Sequence, residues 1–265
     1  MQKYNKIIKM DKKNNLDRPK QCYFCHPKDG FGYIKRVYKY EVQFFGKWNN
    51  FYVMPMVGAV IDGYILIFHK DHYHSLADIP SDDILSLRKL LDVIKKEISK
   101  VYGPSIVFEH GSTCDNVSCL IDHAHIHVVP VPKGFDIVKE IEEDFELTSI
   151  NNYFEVRNWR HGELGRLQYK INNNEIDQKK ARELFSRFSG YLYYEDTVGK
   201  MFIHELEDLY CFQPQYLRMV VFKKLGIDKW EWNKNIDPEC QRRTLEKLHG
   251  LSKYLTPFKI NGGSI

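Results

Sequence analysis

Between Asp122 and Pro130 the chain reads Asp-His-Ala-His-Ile-His-Val-Val-Pro. Three of its 11 histidines stand at every second position, separated by apolar residues. On a β-strand successive side chains point to opposite faces. His123, His125 and His127 are therefore expected on one face, with Ala124, Ile126 and Val128 on the other. The apolar face can pack on a core while the imidazoles line a site. An imidazole titrates near neutrality and serves as nucleophile, proton carrier or metal ligand. Three in register make a metal platform or a phosphoryl-transfer site; a strand that is simply rich in histidine is the plain alternative.

The strand needs a substantial core behind it, and the chain is long enough to supply one. Its 265 residues suffice for one large domain or two modest ones. Composition is globular, 43% hydrophobic and 28% charged, with 14% aromatics. No apolar run of about 18 residues occurs, so no membrane helix is expected. The first 20 residues are polar and lack the apolar core of a signal peptide. An intracellular, cytoplasmic protein is the expectation. The six cysteines then read as thiols or metal ligands rather than disulfides. Net charge is only +4. Part of it sits in residues 1–20, where seven Lys and Arg face Asp11 and Asp17. This basic leader is either a flexible solvated arm or a contact for nucleic acid.

The order of elements points to an α+β fold with a mainly antiparallel sheet. A turn is expected at Pro27–Gly30, then strands over Arg36–Phe45, Phe51–Met56 and Gly63–Phe68. A long helix follows, capped by Ser81, with Ile84, Leu87, Leu91, Ile94 and Ile98 at helical spacing and a stop at Gly103-Pro104. Ser105–Phe108 is a further strand, followed by a polar loop and the triad strand. Beyond residue 135 the pattern predicts a helix over 177–188 and a hairpin joining Tyr191–Tyr194 to Lys200–His204. It also predicts a helix from Pro214 to Leu225 closed by Gly226, and a last helix opened by Asp237-Pro238.

Cys22-x-x-Cys25 has the spacing with which a tetrahedral zinc site takes two thiolates from one turn. His69, His72, His74 and His123 are available nitrogen ligands. A redox pair and two unrelated buried cysteines remain as other readings.

Taken together these residues resemble the histidine triad (HIT) superfamily, whose hallmark is His-φ-His-φ-His-φ-φ with φ apolar. His123 to Val129 fits every position. The resemblance runs over about Gln21 to Val131. It includes the Cys-x-Phe-Cys opening, the Gly63-Tyr-Ile-Leu-Ile strand, Lys70-Asp-His72, the Ser75-Leu-Ala-Asp turn, the helix and Glu109-His110-Gly111. It implies a leader over 1–20, a HIT-like domain over 21–135 with a long helix, and a helical and hairpin C-terminal extension over 136–265.

The resemblance also implies a structural zinc held by Cys22, Cys25, His72 and His123, with His74 as the alternate for His72. It makes His125 the nucleophile that attacks an α-phosphorus to form a covalent nucleotidyl-histidine. His127 would support the phosphate oxygens. Tyr64, Glu109 and Ser118 are candidate substrate contacts. Tyr64 stands where many members carry a fourth His, and Glu109 where nucleoside-binding members carry Asn. Cys119 and Leu120 replace the Gln or Ser that small hydrolases place before the triad. Asp122 orients a triad histidine or is a polar edge residue.

Gln213-Pro-Gln-Tyr-Leu-Arg218, Leu225-Gly226 and Trp230-Glu-Trp232 are similar to the C-terminal segment of CwfJ-like proteins, HIT relatives linked to RNA processing. That similarity makes Arg218, with Gln215, a candidate phosphate contact; an amphipathic helix is the plain reading. Arg157, Arg160, His161 and Arg166 form a second basic cluster. The function expected is hydrolysis of a nucleotide or dinucleotide. Nucleotidyl transfer by the same chemistry is the runner-up, and a non-catalytic nucleotide- or RNA-binding module is the reading from another class. A metalloenzyme using all three triad histidines is disfavoured, because alternate residues on one strand rarely converge on one ion. Monomer and homodimer are both open.

Overall fold

A computed structural model describes residues 22, 24, 25, 27–39, 41–112, 123–156, 190–206 and 215–258. Ser118, Cys119, Leu120, Asp122, Gln213, Pro214, the basic leader, the 157–166 cluster and the helix expected over 177–188 lie outside these residues.

One eight-stranded antiparallel sheet organises the chain. Its strands are β1 (Gly46–Trp48), β2 (Phe51–Pro55), β3 (Ile65–His69), β4 (Ser105–Ser112), β5 (His125–Pro130), β6 (Thr148–Ile150), β7 (Gly190–Glu195) and β8 (Met201–Leu206). Their spatial order is β1-β2-β3-β5-β4-β7-β8-β6. β5 is thus central, flanked by β3 and β4. Its register sets Phe68 opposite His125, and both Leu66 and Phe108 opposite His127. β4 is paired on its other side along Val107–Ser112 by β7, so residues before and after 135 share one sheet.

Period-2 alternation divides the core into two layers. Ile65, Ile67, Val107, Ala124, Ile126 and Val128 face α2 (Ser81–Val101), which buries Ile84, Leu87, Leu90, Leu91, Ile94 and Ile98. The apolar side of the triad segment packs where its pattern placed it. Leu66, Phe68, Ile106, Phe108 and Val129 face the other layer. That layer is built by α1 (Pro27–Tyr38), α4 (Tyr216–Lys224) and the Trp230–Trp232 segment. α3 (Val138–Glu142) contributes Ile141, and α5 (Pro238–Lys247) contributes Cys240.

Several local expectations need correction. Pro27–Gly30 is the first turn of a helix, with Pro at its start where a missing N–H costs nothing. The strand expected over 36–45 is the end of α1, and residues 41–45 form no strand, although the Phe45 amide donates to the Val53 carbonyl just before β1. Phe31 and Ile34, one helical turn apart, are the residues buried, while Lys35, Arg36 and Val37 face solvent. Lys39, at φ 55°, ends the helix. Val42 and Phe44 then turn inward without joining a ladder. Ser81 is the first residue of α2 rather than its cap; the cap position is Pro80, and Asp82 and Asp83 occupy the first turn. β4 runs four residues past Phe108, because β7 gives it a partner. β5 begins at His125, so His123 precedes the ladder. α3 and β6 carried no recognised signal. The hairpin of β7 and β8 forms as expected. Gly226 closes α4 at φ 73°, and Asp237 caps α5 by accepting from the Glu239 amide.

Candidate active site and metal centre

The triad segment faces the α1/α4 layer, and its three histidines meet different neighbours. His125 Nδ1 lies 2.6 Å from the His123 carbonyl oxygen. A carbonyl only accepts, so Nδ1 carries the proton and Nε2 keeps its lone pair. Burial, opposed by that hydrogen bond, lowers the His125 pKa and keeps the ring neutral. A neutral imidazole with a fixed tautomer and an unprotonated Nε2 is a competent nucleophile.

His127 is buried. Phe108 stacks on its ring at 4.7 Å, and its Nδ1 lies 2.8 Å from the Tyr64 hydroxyl. Burial, then the neighbouring His125, Arg218 and His110, hold its pKa well below the usual histidine range. Burial pushes the Tyr64 hydroxyl up to about 12, so it keeps its proton.

His123 points to the metal cluster. The ligand atoms of Cys22, Cys25, His72 and His123 all lie within 4.8 Å of one another. The Cys22 and Cys25 sulfurs are 3.4 and 3.5 Å from His123 Nδ1, and Cys25 is 3.2 Å from His72 Nδ1. Around a tetrahedral zinc with ordinary Zn–S and Zn–N bonds, an S···N edge is about 3.6 Å. The four side chains therefore fit such an ion, and together they could hold a metal. His123 Nε2 donates to the His69 carbonyl at 2.7 Å, turning the Nδ1 lone pair toward the two cysteine sulfurs. His72 rather than His74 joins this cluster; His74 packs edge-on against the His72 ring. His69 is occupied elsewhere, accepting from the Asp71 amide and donating to Asp83.

Phe24, between the two cysteines, stacks on Phe68 at 4.2 Å and sets its edge toward His125. Phe24, Phe31, Met54, Met56, Leu66 and Trp232 line a small apolar cleft on this same face. Gly58 lets the Trp232 backbone come close: at φ 72°, a Cβ there would stand 2.1 Å from the Trp232 carbonyl oxygen.

The remaining candidates divide. Glu109 is on the other layer, where its carboxylate accepts from the Leu76 amide and the Tyr191 hydroxyl. It faces away from the triad. Arg218 is buried, bonded through Nε to the Trp230 carbonyl and through Nη2 to the Gly58 carbonyl. It lies behind Tyr64 rather than in open solvent. Gln215 accepts from the Trp232 amide. In the sequence His110 stood out only within the Glu109-His110-Gly111 motif, with no role of its own; it shares its face of β4 with Phe108. Its Nε2 accepts from the Leu217 amide at 3.0 Å. Burial and the neighbouring His125 push its pKa down to about 3. The signal was its spacing of two from Phe108, readable only once β4 was known to adjoin β5.

No family model matches the sequence, and no curated protein matches it. Comparison with solved structures returns histidine triad proteins. A histidine triad nucleotide-binding protein from Sulfolobus tokodaii is 18% identical, with a TM-score of 0.32, covering 57% of this chain and 96% of that one. A HIT family hydrolase from Clostridium thermocellum is 12% identical, with a TM-score of 0.30, covering 45% and 98%. Yeast Ap4A phosphorylase Apa2 is 11% identical, with a TM-score of 0.39, covering 78% and 73%. Among the described residues no helix is long and apolar enough to cross a membrane.

Proposed function

We propose that this chain is a histidine-triad enzyme that hydrolyses a nucleotide or dinucleotide at its α-phosphate through a covalent nucleotidyl-His125. The observation that carries the reading is the 2.6 Å contact of His125 Nδ1 with the His123 carbonyl, which leaves Nε2 free and unprotonated. The Nε2 lone pair attacks phosphorus, the bond to the leaving oxygen breaks, and that oxygen departs with the electron pair. Water then attacks phosphorus, and the pair of the P–N bond returns to Nε2. His127 donates to phosphate oxygens as charge builds on them. The apolar cleft beside Phe24 and Trp232 would take the base.

Zinc is the metal proposed for the Cys22, Cys25, His72 and His123 cluster, as a closed structural site. Bound there, it would supply a cross-link between the α1 segment and the triad strand. A second reading is nucleotidyl transfer to an acceptor other than water, which the same free Nε2 of His125 would serve.

The test is to mix the full chain with labelled mononucleotides and dinucleoside polyphosphates, quench, and map any adduct. A phosphoramidate on His125 supports the proposal. Turnover that survives in His125→Ala overturns it.

A further inference from the structure

Arg218 ranks among the largest fully buried side chains of the described residues, at 2% exposure. Its Nε and Nη2 serve the Trp230 and Gly58 carbonyls, its Nη1 meets no carbonyl, and among the described residues no carboxylate pairs with it. A buried cation without a counter-charge is costly, so its position calls for an account. The guanidinium is 5.3 Å from the centre of the Tyr64 ring and 4.6 Å from that of Phe222. Beyond Tyr64 stands His127, its Nδ1 2.8 Å from the phenol oxygen.

A phenol has one proton and a guanidinium has only donors. Arg218 acts on the Tyr64 hydroxyl both as a charge and as a donor, so the phenol oxygen turns its lone pairs toward Arg218 and its proton away from it. The proton then falls to His127 Nδ1, which must accept. The imidazole proton is left on Nε2, at the opposite edge of the ring. Phe108, stacked within 18° of parallel, and the T-shaped Tyr64 ring hold the plane in place.

We propose that Arg218, carried in on α4, is a positioning residue that acts through the Tyr64 hydroxyl to fix His127 as its Nε2–H tautomer, the form that donates to a bound phosphate. The phosphate role rests on the function proposed above; the tautomer does not. The other groups facing His127 agree with it. His125 on its own strand is neutral, and His110 on β4 is neutral and accepts from Leu217. Among the described residues the charged and titratable groups acting on His127 are His125, Arg218 and His110, with no acid among them. The consequence is that the residues after 135 tune the catalytic strand itself: the Gly58 and Trp230 carbonyls aim Arg218, Arg218 aims Tyr64, and Tyr64 aims His127.

The test uses the full chain, free of nucleotide and labelled with nitrogen-15 histidine. Long-range proton–nitrogen spectra assign the His127 signals by their loss in His127→Gln. In the wild type, Nδ1 should show the shift of an unprotonated nitrogen and Nε2 that of a protonated one. Tyr64→Phe removes the hydroxyl alone and should average the two shifts. Arg218→Gln should do the same, while Arg218→Lys, which keeps the charge, should retain part of the wild-type pattern. Where turnover is measured, kcat/KM in Tyr64→Phe falls roughly 100-fold. A His127 that keeps its Nε2–H signature in Tyr64→Phe overturns the proposal, and this readout stands even if Arg218→Gln fails to fold. Because it needs no turnover, a chain that formed no adduct at His125 would still report the tautomer, so the two readings fail separately.

Discussion

The carbonyl oxygen of His123 receives the Nδ1 proton of His125 across 2.6 Å. A backbone oxygen two residues upstream thus decides which nitrogen of the His125 ring is free. The same His123 places its own ring among two cysteines and His72. Joining the cluster and fixing the His125 tautomer are tasks of one residue's side chain and main chain.

Replacing His125 by Ala is expected to lower turnover by about four to six orders of magnitude, the scale seen when a nucleophile acts as part of a unit. Metal content and the far-ultraviolet spectrum should be unchanged. Steady-state kinetics alongside metal analysis checks both halves.

Removing the metal, or replacing Cys22 by Ser, should loosen α1 from the sheet. Metal per chain would drop to near zero in chelator-treated protein. The melting midpoint would fall by roughly 2–4 °C for each kcal/mol of site energy lost. Calorimetry with and without added zinc reads this directly; identical melting of the two samples would argue against a structural site.

Stability should decline as acid is added below about pH 6.5. His110 is held down to about 3 in the fold by burial and the neighbouring His125, while an unfolded histidine titrates near 6.5. Between these values the unfolded chain binds a proton that the native chain refuses, so falling pH favours unfolding. The slope from one such histidine is about 1.4 kcal/mol per pH unit. His110→Gln should flatten the denaturant midpoint against pH between 6 and 4 by one histidine's worth.

Glu109→Ala is expected to damage the fold rather than nucleotide binding. It strips the Leu76 amide and the Tyr191 hydroxyl of their acceptor inside the α2 layer. An unsatisfied buried donor costs about 1–3 kcal/mol. A lowered melting midpoint with KM unchanged is the expected outcome. A large rise in KM with stability intact would return Glu109 to the substrate.

Gly58→Ala tests how the C-terminal segment closes the cleft. The new methyl would meet the Trp232 carbonyl at 2.1 Å in a left-handed backbone. Strain of this kind costs on the order of 1–3 kcal/mol. Tryptophan fluorescence should report a displaced Trp232, with weaker nucleotide binding.

Much of this architecture was legible because its signals are periodic. The spacing of two in the triad segment and of three to four in α2 both report burial of one face, and both faces are buried. Where a second element decides, the sequence alone was a poorer guide. Val37 and Tyr38 look strand-forming, yet they end a helix whose reason is the burial of Phe31, set against Phe24 and Phe68, and of Ile34 on the same face. Glu109 and His110 are neighbours with opposite fates, and only the register of β4 against β5 says which one faces the triad. Arg218 carried the look of a surface cation. Its burial follows from two carbonyls, of Gly58 and Trp230, that no local pattern could reveal.

β4 has a neighbour along both edges, and β7 occupies the outer one for six residues, Val107 to Ser112. A chain cut after residue 135 would keep the triad and the metal ligands but leave that row of amides and carbonyls open. An open row of this kind recruits strands from other molecules. The C-terminal hairpin therefore covers an edge that would favour self-assembly, and a triad-bearing fragment isolated without it is expected to be adhesive.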